Sequence, residues 1–282
     1  MKKKVIVIVV CVLLAVAVAA MLIPKGTFQK WFGKTDETIN ESKYNVMVYV
    51  LNEKDQIVGV NVPVESLEED QIRQKWNILN STSNIIPDNY KPVFKNSVEL
   101  QEYTIEDECL KLMVSDDIYN ENRKTLESLV WTFVTEEIKE LELYVGETLV
   151  NEVDGYTINN LDKTMGVNYC YETSFLFEST ATTIVYQEED YTLPVTYFHL
   201  NDDICDYIVM KILTNVDDNA YEYTLEDSVL TIDFVDASIL TSSQIASISE
   251  SIALNFDVTS LNINNNENIF YQRVFDEITP NE

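Results

Sequence analysis

A run of six residues, Glu102-Tyr103-Thr104-Ile105-Glu106-Asp107, returns as Glu222-Tyr223-Thr224-Leu225-Glu226-Asp227, and this repeat constrains the fold more than any other feature. From there the copies keep an offset of 120 residues, with no gap, for about forty residues. Leu110, Leu112 and Val114 alternate as a strand and align with Leu230, Ile232 and Phe234. Leu141 and Leu143 align with Leu261 and Ile263, so both copies end on a strand. Between these strands Leu126, Leu129, Val130 and Phe133 in one copy, and Ile245, Ile248 and Ile252 in the other, have the spacing of a helix with one buried face. Thr241 and Gln244 have the spacing of a capping box.

Upstream, Val46, Val48 and Val50 alternate as an opening strand, followed by a helix started by Ser66 with Glu69 and carrying Ile72, Trp76 and Leu79 on one stripe. The second copy answers with Phe175 and Phe177 in a strand and Ile204, Ile208 and Ile212 in a helix. Only the first copy holds Ile86-Pro87 and the stretch Lys91-Pro92-Val93-Phe94. Helices on a half-buried sheet, within roughly a hundred residues, define an α+β module of two layers. The expected organisation is therefore a first module over 44–153, a linker over 154–170, a second module over 171–274 and a tail over 275–282.

The N-terminus is of another kind. Lys2, Lys3 and Lys4 precede an uncharged apolar run from Val5 to Ile23, closed by Pro24, and its 19 residues match the hydrocarbon core of a bilayer. Residues 1–23 read as an uncleaved transmembrane anchor, with cleavage as a secretory signal after Ala17-Val18-Ala19 as the competing outcome. Cys11 lies in the middle of the run rather than just after it, which argues against lipid attachment. Lys25, Lys30 and Lys34 balance the lysines before the segment, so orientation follows from length instead: a very short N-terminus and a long acidic C-terminal part fit an exported domain. Residues 24–43 form a tether whose Phe28, Trp31 and Phe32 suit either a membrane interface or a plain linker. The expected localisation is the cell membrane, single-pass, with the C-terminal part extracytoplasmic.

Charge removes one class of function. The chain carries 48 acids against 19 Lys and Arg, and beyond residue 43 the counts are 45 and 12. No basic stripe exists to displace counterions, so nucleic acid is excluded as a partner. The acidity itself reads first as a solvated face.

Motif chemistry is also missing. There is no G-x-S-x-G elbow, P-loop, H-E-x-x-H or G-x-G-x-x-G, and six dispersed glycines offer no phosphate cradle. His199, the single histidine, falls at a strand end before a helix cap and reads as structural. Cys109, Cys170 and Cys205 cannot all pair and lack C-x-x-C spacing, so buried free thiols are expected, with one disulfide left open. Glu188-Glu189-Asp190, Asp202-Asp203 and Asp217-Asp218 lack the spacing of a calcium loop. No residue is assigned a catalytic, cofactor-binding or metal-binding role, no cofactor is expected, and the chain reads as no enzyme.

Three stretches together resemble a known family. Leu110-Lys111-Leu112-Met113-Val114-Ser115, then Leu126-Glu127-Ser128-Leu129-Val130-Trp131-Thr132-Phe133, then Leu141-Glu142-Leu143-Tyr144-Val145-Gly146-Glu147 resemble the GerMN domain of sporulation and spore germination. Ile86-Pro87 looks like that family's upstream proline turn, and tandem copies behind one anchor are similar to its usual layout. The chain departs from the pattern at Asp107-Glu108, where the family has a glycine, at Val134-Thr135-Glu136-Glu137, and in the missing proline turn of the second copy. The resemblance implies ring-building-motif-like α/β sandwich modules that assemble side by side, and no enzymatic activity. It implies an envelope scaffold acting by protein–protein contact, with envelope proteins, further copies of itself or sporulation components as partners. The alternative is an extracytoplasmic binding module for a cell-wall glycan, a small ligand or calcium.

Overall fold

The computed structural model describes residues 44–80, 85–214, 217 and 220–275. The expected anchor, the tether, Cys11, Asp218 and all of the tail beyond Phe275 lie outside the described residues. Among the described residues no helix is long and apolar enough to cross a membrane. From Tyr44 onward the chain is one compact α/β unit.

The first copy opens with a hairpin of β1 (Tyr44–Asn52) and β2 (Ile57–Val64), followed by α1 (Gln71–Leu79) and the short β3 (Tyr90–Lys91). Its repeat core is β4 (Leu100–Glu106), β5 (Cys109–Val114), α2 (Arg123–Phe133), β6 (Glu140–Val145) and β7 (Thr148–Leu149), with the strands in sheet order β4-β5-β6-β7. The joining stretch holds β8 (Glu152–Val153), β9 (Tyr156–Thr157) and β10 (Cys170–Tyr171). The second copy opens with β11 (Thr180–Gln187) and β12 (Thr192–His199), then α3 (Ile204–Ile212). Its core is β13 (Tyr221–Glu226), β14 (Val229–Phe234), α4 (Ser242–Asn255), β15 (Ser260–Asn265) and β16 (Asn268–Val274), in the order β13-β14-β15-β16. In each core the second and third strands run parallel, joined by the helix, while the outer pairs are antiparallel.

The repeat is real, but it is not free of gaps. The strands keep the offset of 120, pairing Leu110 with Leu141 and Leu230 with Leu261. The helix caps Asn122 and Thr241 are only 119 apart, so the second copy loses one residue before its helix and restores it afterwards. Helix α4 absorbs the difference by running 14 residues against 11 in α2. The capping box at Thr241 and Gln244 is present.

Two local expectations are corrected. Helix α1 is capped by Asp70, which accepts the Arg73 N–H at 2.9 Å, rather than by Ser66 with Glu69; the Ser66 carbonyl is taken up by Gln74 Nε2 at 2.9 Å. Phe175 starts and Phe177 lies in a 3-10 turn rather than a strand, because the Thr173 hydroxyl accepts the Phe175 N–H at 3.0 Å and the Ser179 hydroxyl donates to the Leu176 carbonyl at 2.9 Å, closing the chain on itself. The strands that answer β1 and β2 are β11 and β12.

The glycine missing at Asp107-Glu108 is also accounted for. Asp107 and Glu108 have φ of 50° and 61°, and Asp227 and Ser228 have 50° and 60°, the left-handed pair of a two-residue type I′ hairpin. Aspartate tolerates that conformation better than most side chains.

Two cores form. Trp76, 1% exposed, packs against Phe94 at 5.1 Å and Phe133 at 6.5 Å between ring centres. Truncating a buried aromatic of this kind costs roughly 3–5 kcal/mol. The second core gathers Ile208, Leu230, Ile232, Phe234, Ile248, Ile252 and Leu261. Helix α2 has more than the single buried face its apolar spacing implied: every residue from Thr125 to Phe133 is buried, as it touches β1 and β2 as well as β6. Its Thr132 hydroxyl accepts the Tyr49 N–H at 3.0 Å, and its Ser128 hydroxyl donates to the Tyr49 carbonyl.

The same device is fuller in the second copy. Helix α4 presents Ser247, Ser251 and Asn255 at four-residue steps to the outer edge of β11. They accept the N–H groups of Gln187 (2.8 Å), Val185 (2.9 Å) and Thr183 (3.1 Å). These are groups that a neighbouring strand would otherwise take.

The two opening hairpins are not separate. Thr192 of β12 pairs with Gly59 of β2, so both hairpins, with β3 and β10, belong to one six-stranded sheet. The joining stretch is anchored at Leu161 and Val167, which are 4% and 0% exposed, while residues 154, 155, 157, 159, 160 and 164 stay exposed. Asn168 bridges the two copies. Its Oδ1 accepts the Ile57 N–H at 2.8 Å, and its Nδ2 donates to the carbonyls of Ile57 (2.7 Å) and Pro194 (2.8 Å). Arg123 holds the same stretch from the other side, donating to the Met165 carbonyl at 3.0 Å with its guanidinium 3.8 Å from the Tyr169 ring centre.

Candidate functional site

The repeated Tyr of the Glu-Tyr-Thr motif has a structural role in both copies. Tyr103 donates to Asp70, the cap of α1, at 2.9 Å, and Tyr223 donates to Asp203, the cap of α3, at 2.7 Å. Each ties its edge strand to the start of the module's first helix. Asp203 thereby acquires a definite role, capping α3 through the Asp206 N–H at 2.9 Å. Glu188, Glu189 and Asp190 lie at the β11–β12 turn. Among the described residues no three His, Cys, Asp or Glu side chains converge as a metal site would require.

Among the described residues two concave surfaces stand out. The first, about 720 Å³, lies at the outer end of the second module, between the β10–β11 connection and α3. It is lined by Glu172, Phe175, His199, Leu200, Met210 and Lys211, among others. Its apolar side chains stand in solvent: Phe175 is 64%, Leu200 52% and Met210 45% exposed, and Phe177 in the same turn is fully exposed. The sequence signal for this surface was the bare triplet Phe175-Leu176-Phe177 between turn-forming residues, and the strand reading concealed it.

Polar groups brace the groove. Glu172 takes the Lys211 ammonium on one oxygen and the Tyr207 hydroxyl on the other at 2.8 Å. Burial opposes ionisation of Glu172, but Lys211 and Tyr207 outweigh it and hold the carboxyl below its ordinary value. The His199 ring, 3% exposed, stacks on Tyr207 with centres 3.5 Å apart. Its Nδ1 accepts the Asn201 N–H at 3.2 Å, so Nε2 carries the proton and donates to the Thr182 hydroxyl at 2.8 Å. With both nitrogens engaged, the imidazole is a structural group.

Burial pushes the His199 pKa down, with the Glu172 charge opposing and the Lys211 charge assisting. A folded-state value below the unfolded value of about 6.5 means that the unfolded chain takes up the proton first. The stabilisation is full above that pH and is lost as pH falls through the folded value. The stability advantage of the wild type over His199→Gln is therefore expected to shrink between about pH 7.5 and 5.5. Parallel denaturation curves across that range would contradict this.

Two buried thiols, Cys109 and Cys205, are withdrawn from chemistry at neutral pH. Burial pushes Cys109 up to about 11 and Cys205 up to about 12. All three described cysteines are free thiols.

The second surface is a cleft of about 1,120 Å³ whose walls come from both copies. Tyr49, Lys75, Trp131 and Lys163 face it from one side, and Thr183, Glu250, Leu254 and Arg273 from the other.

Two α/β repeats, each a hairpin, a helix and a four-stranded β-α-β core, joined through one sheet, make up the tandem GerMN fold. The solved tandem GerMN domains of the sporulation protein GerM from Bacillus subtilis match with a TM-score of 0.66 at 18% identity, over 79% of this chain and 91% of that one. The first GerMN domain of the same protein, solved alone, matches at 18% identity over 43% of this chain and 99% of that one, with a TM-score of 0.40. No family model matches the chain, and no curated protein matches it.

Proposed function

We propose that this chain is a non-catalytic assembly protein of the bacterial cell envelope, held to the membrane by its N-terminal segment and acting by protein–protein contact in sporulation or germination. The observation that carries this reading is the apolar lining of the outer groove, where Phe175, Leu200 and Met210 are each 45% to 64% exposed and Phe177 stands fully exposed in the same turn as Phe175. Side chains of this size contribute most when a partner covers them. Likeness of fold to a sporulation protein supports the setting, and the apolar run from Val5 to Ile23 supports the anchor and the extracytoplasmic placement.

The test is crosslinked affinity capture of the full-length protein from growing and from starved cells, beside a Phe175→Ser/Phe177→Ser variant. Both side chains are exposed, so the fold should survive. Envelope proteins captured by the wild type should fall roughly tenfold with the variant, as expected for loss of two aromatic anchors. Equal capture by both proteins would overturn the reading.

A further inference from the structure

We infer that the cleft between the two copies binds a small organic anion bearing carboxylate or phosphate groups. Beyond residue 43 acids outnumber bases 45 to 12, yet Lys75, Lys139, Lys163 and Arg273, a third of those bases, line this one cleft. Such a concentration runs against the composition of the chain.

Two of these cations are half-buried and unpaired. Among the described residues neither Lys75 nor Lys163 forms an ion pair, whereas Arg273 is held by Glu250 at 2.5 Å and Glu136 at 3.8 Å. Lys75 has only the Thr132 carbonyl, at 3.3 Å. Lys163 stands 5.2 Å from the centre of the Trp131 ring. Burial holds both ammonium groups below their ordinary pKa; for Lys163, Glu250 and Glu136 oppose that shift and Lys139 adds to it. A partly desolvated ammonium that no carboxylate contacts directly is costly, and an incoming anion relieves that cost.

Trp131 supplies a second, independent observation. It is 5% exposed, lines the cleft, and its indole Nε1–H is buried without a hydrogen-bond partner. Buried indole N–H groups ordinarily have one.

The carboxyl groups of the cleft do not cancel the lysines. Glu136 and Glu250 are engaged with Arg273, Asp162 caps its own turn through the Thr164 N–H at 2.8 Å, and Glu137 is exposed. Met47 and Leu254 add apolar wall beside the indole, which suits the carbon frame of an organic anion.

This inference is independent of the outer groove and of the assembly role. The full-length protein in detergent would be titrated calorimetrically with citrate and, separately, with inorganic phosphate, at constant ionic strength set by sodium chloride. Binding of citrate alone would assign a carboxylate site, and binding of phosphate a phosphate site. Lys163→Met and Lys75→Met should each weaken the bound anion by roughly tenfold, while Lys91→Met, an exposed lysine elsewhere, should leave it unchanged. Thermal unfolding of each variant without ligand separates misfolding from lost binding. Absence of heat with both anions, or equal binding by the two cleft variants and the wild type, would overturn the inference.

Discussion

Replacing Glu121 by Ala is expected to cost about 3–5 kcal/mol of unfolding free energy, among the largest effects of any single polar substitution in this chain. Glu121 is 0% exposed, and its carboxyl oxygens accept from the backbone N–H of Lys95 (3.0 Å) and Asn96 (2.9 Å), from Asn96 Nδ2 (3.2 Å) and from the Thr125 hydroxyl (2.9 Å). The truncation strands all of these donors. It also releases the loop that presses Phe94 onto Trp76. Glu121→Gln keeps one acceptor oxygen and should lose about half as much. Chemical denaturation of the three proteins decides it, and an Ala variant within about 1 kcal/mol of wild type would refute the role. The second copy supplies a natural control: allowing for the one-residue shift, Leu240 stands in place of Glu121, in a copy with no such loop to secure.

The second large effect is expected at Asn168. Asn168→Ala removes all three hydrogen bonds across the seam and places a non-glycine, non-asparagine residue at φ 45°, together costing about 2–4 kcal/mol. Asn168→Gly keeps the backbone free to adopt that angle and isolates the contribution of the bonds. Beyond the loss in stability, amide exchange in β2 and β12 should speed up relative to the two core sheets, because Asn168 and the Thr192–Gly59 pair are the hydrogen-bonded links between the hairpins, beside the packing of Val185, Tyr191 and Leu193 on the first core. Unchanged exchange at Ile57 would sink this account.

How far these features could be read in advance depends on where their partners lie. The repeat strands, the helix faces of α2 and α4, and the box at Thr241 are local patterns of period two, period 3.6 or fixed spacing, and each appears where the spacing put it. Ser128, Thr132, Ser247 and Ser251 are polar residues outside the apolar spacing that marks the helix faces. Their backbone partners are more than fifty residues away, beyond the reach of any periodicity. The same holds for Glu121, whose partners belong to an irregular loop, and for Asn168, which falls in the stretch read as the linker between modules. The one-residue shift in the helix went unseen because strand residues on both sides return to the same offset. The outer groove was hidden for a different reason: three consecutive apolar residues fit a strand as well as an exposed turn, and the Thr173 and Ser179 hydroxyl bonds that close the turn are not visible as a pattern.

The helix side chains that occupy the outer edge of β11, and the matching pair at Tyr49 of β1, limit how copies of this molecule can add to one another. A strand arriving at the central sheet finds the donors of Thr183, Val185 and Gln187 already satisfied, so that sheet cannot grow by annexing a neighbour's backbone. The core sheets still end on open strands such as β13 and β16, but an array joined at this edge must be tiled through side-chain surfaces. Its geometry would then be set by the shape of those faces, and it can be remodelled by changing a few exposed residues without touching the framework beneath.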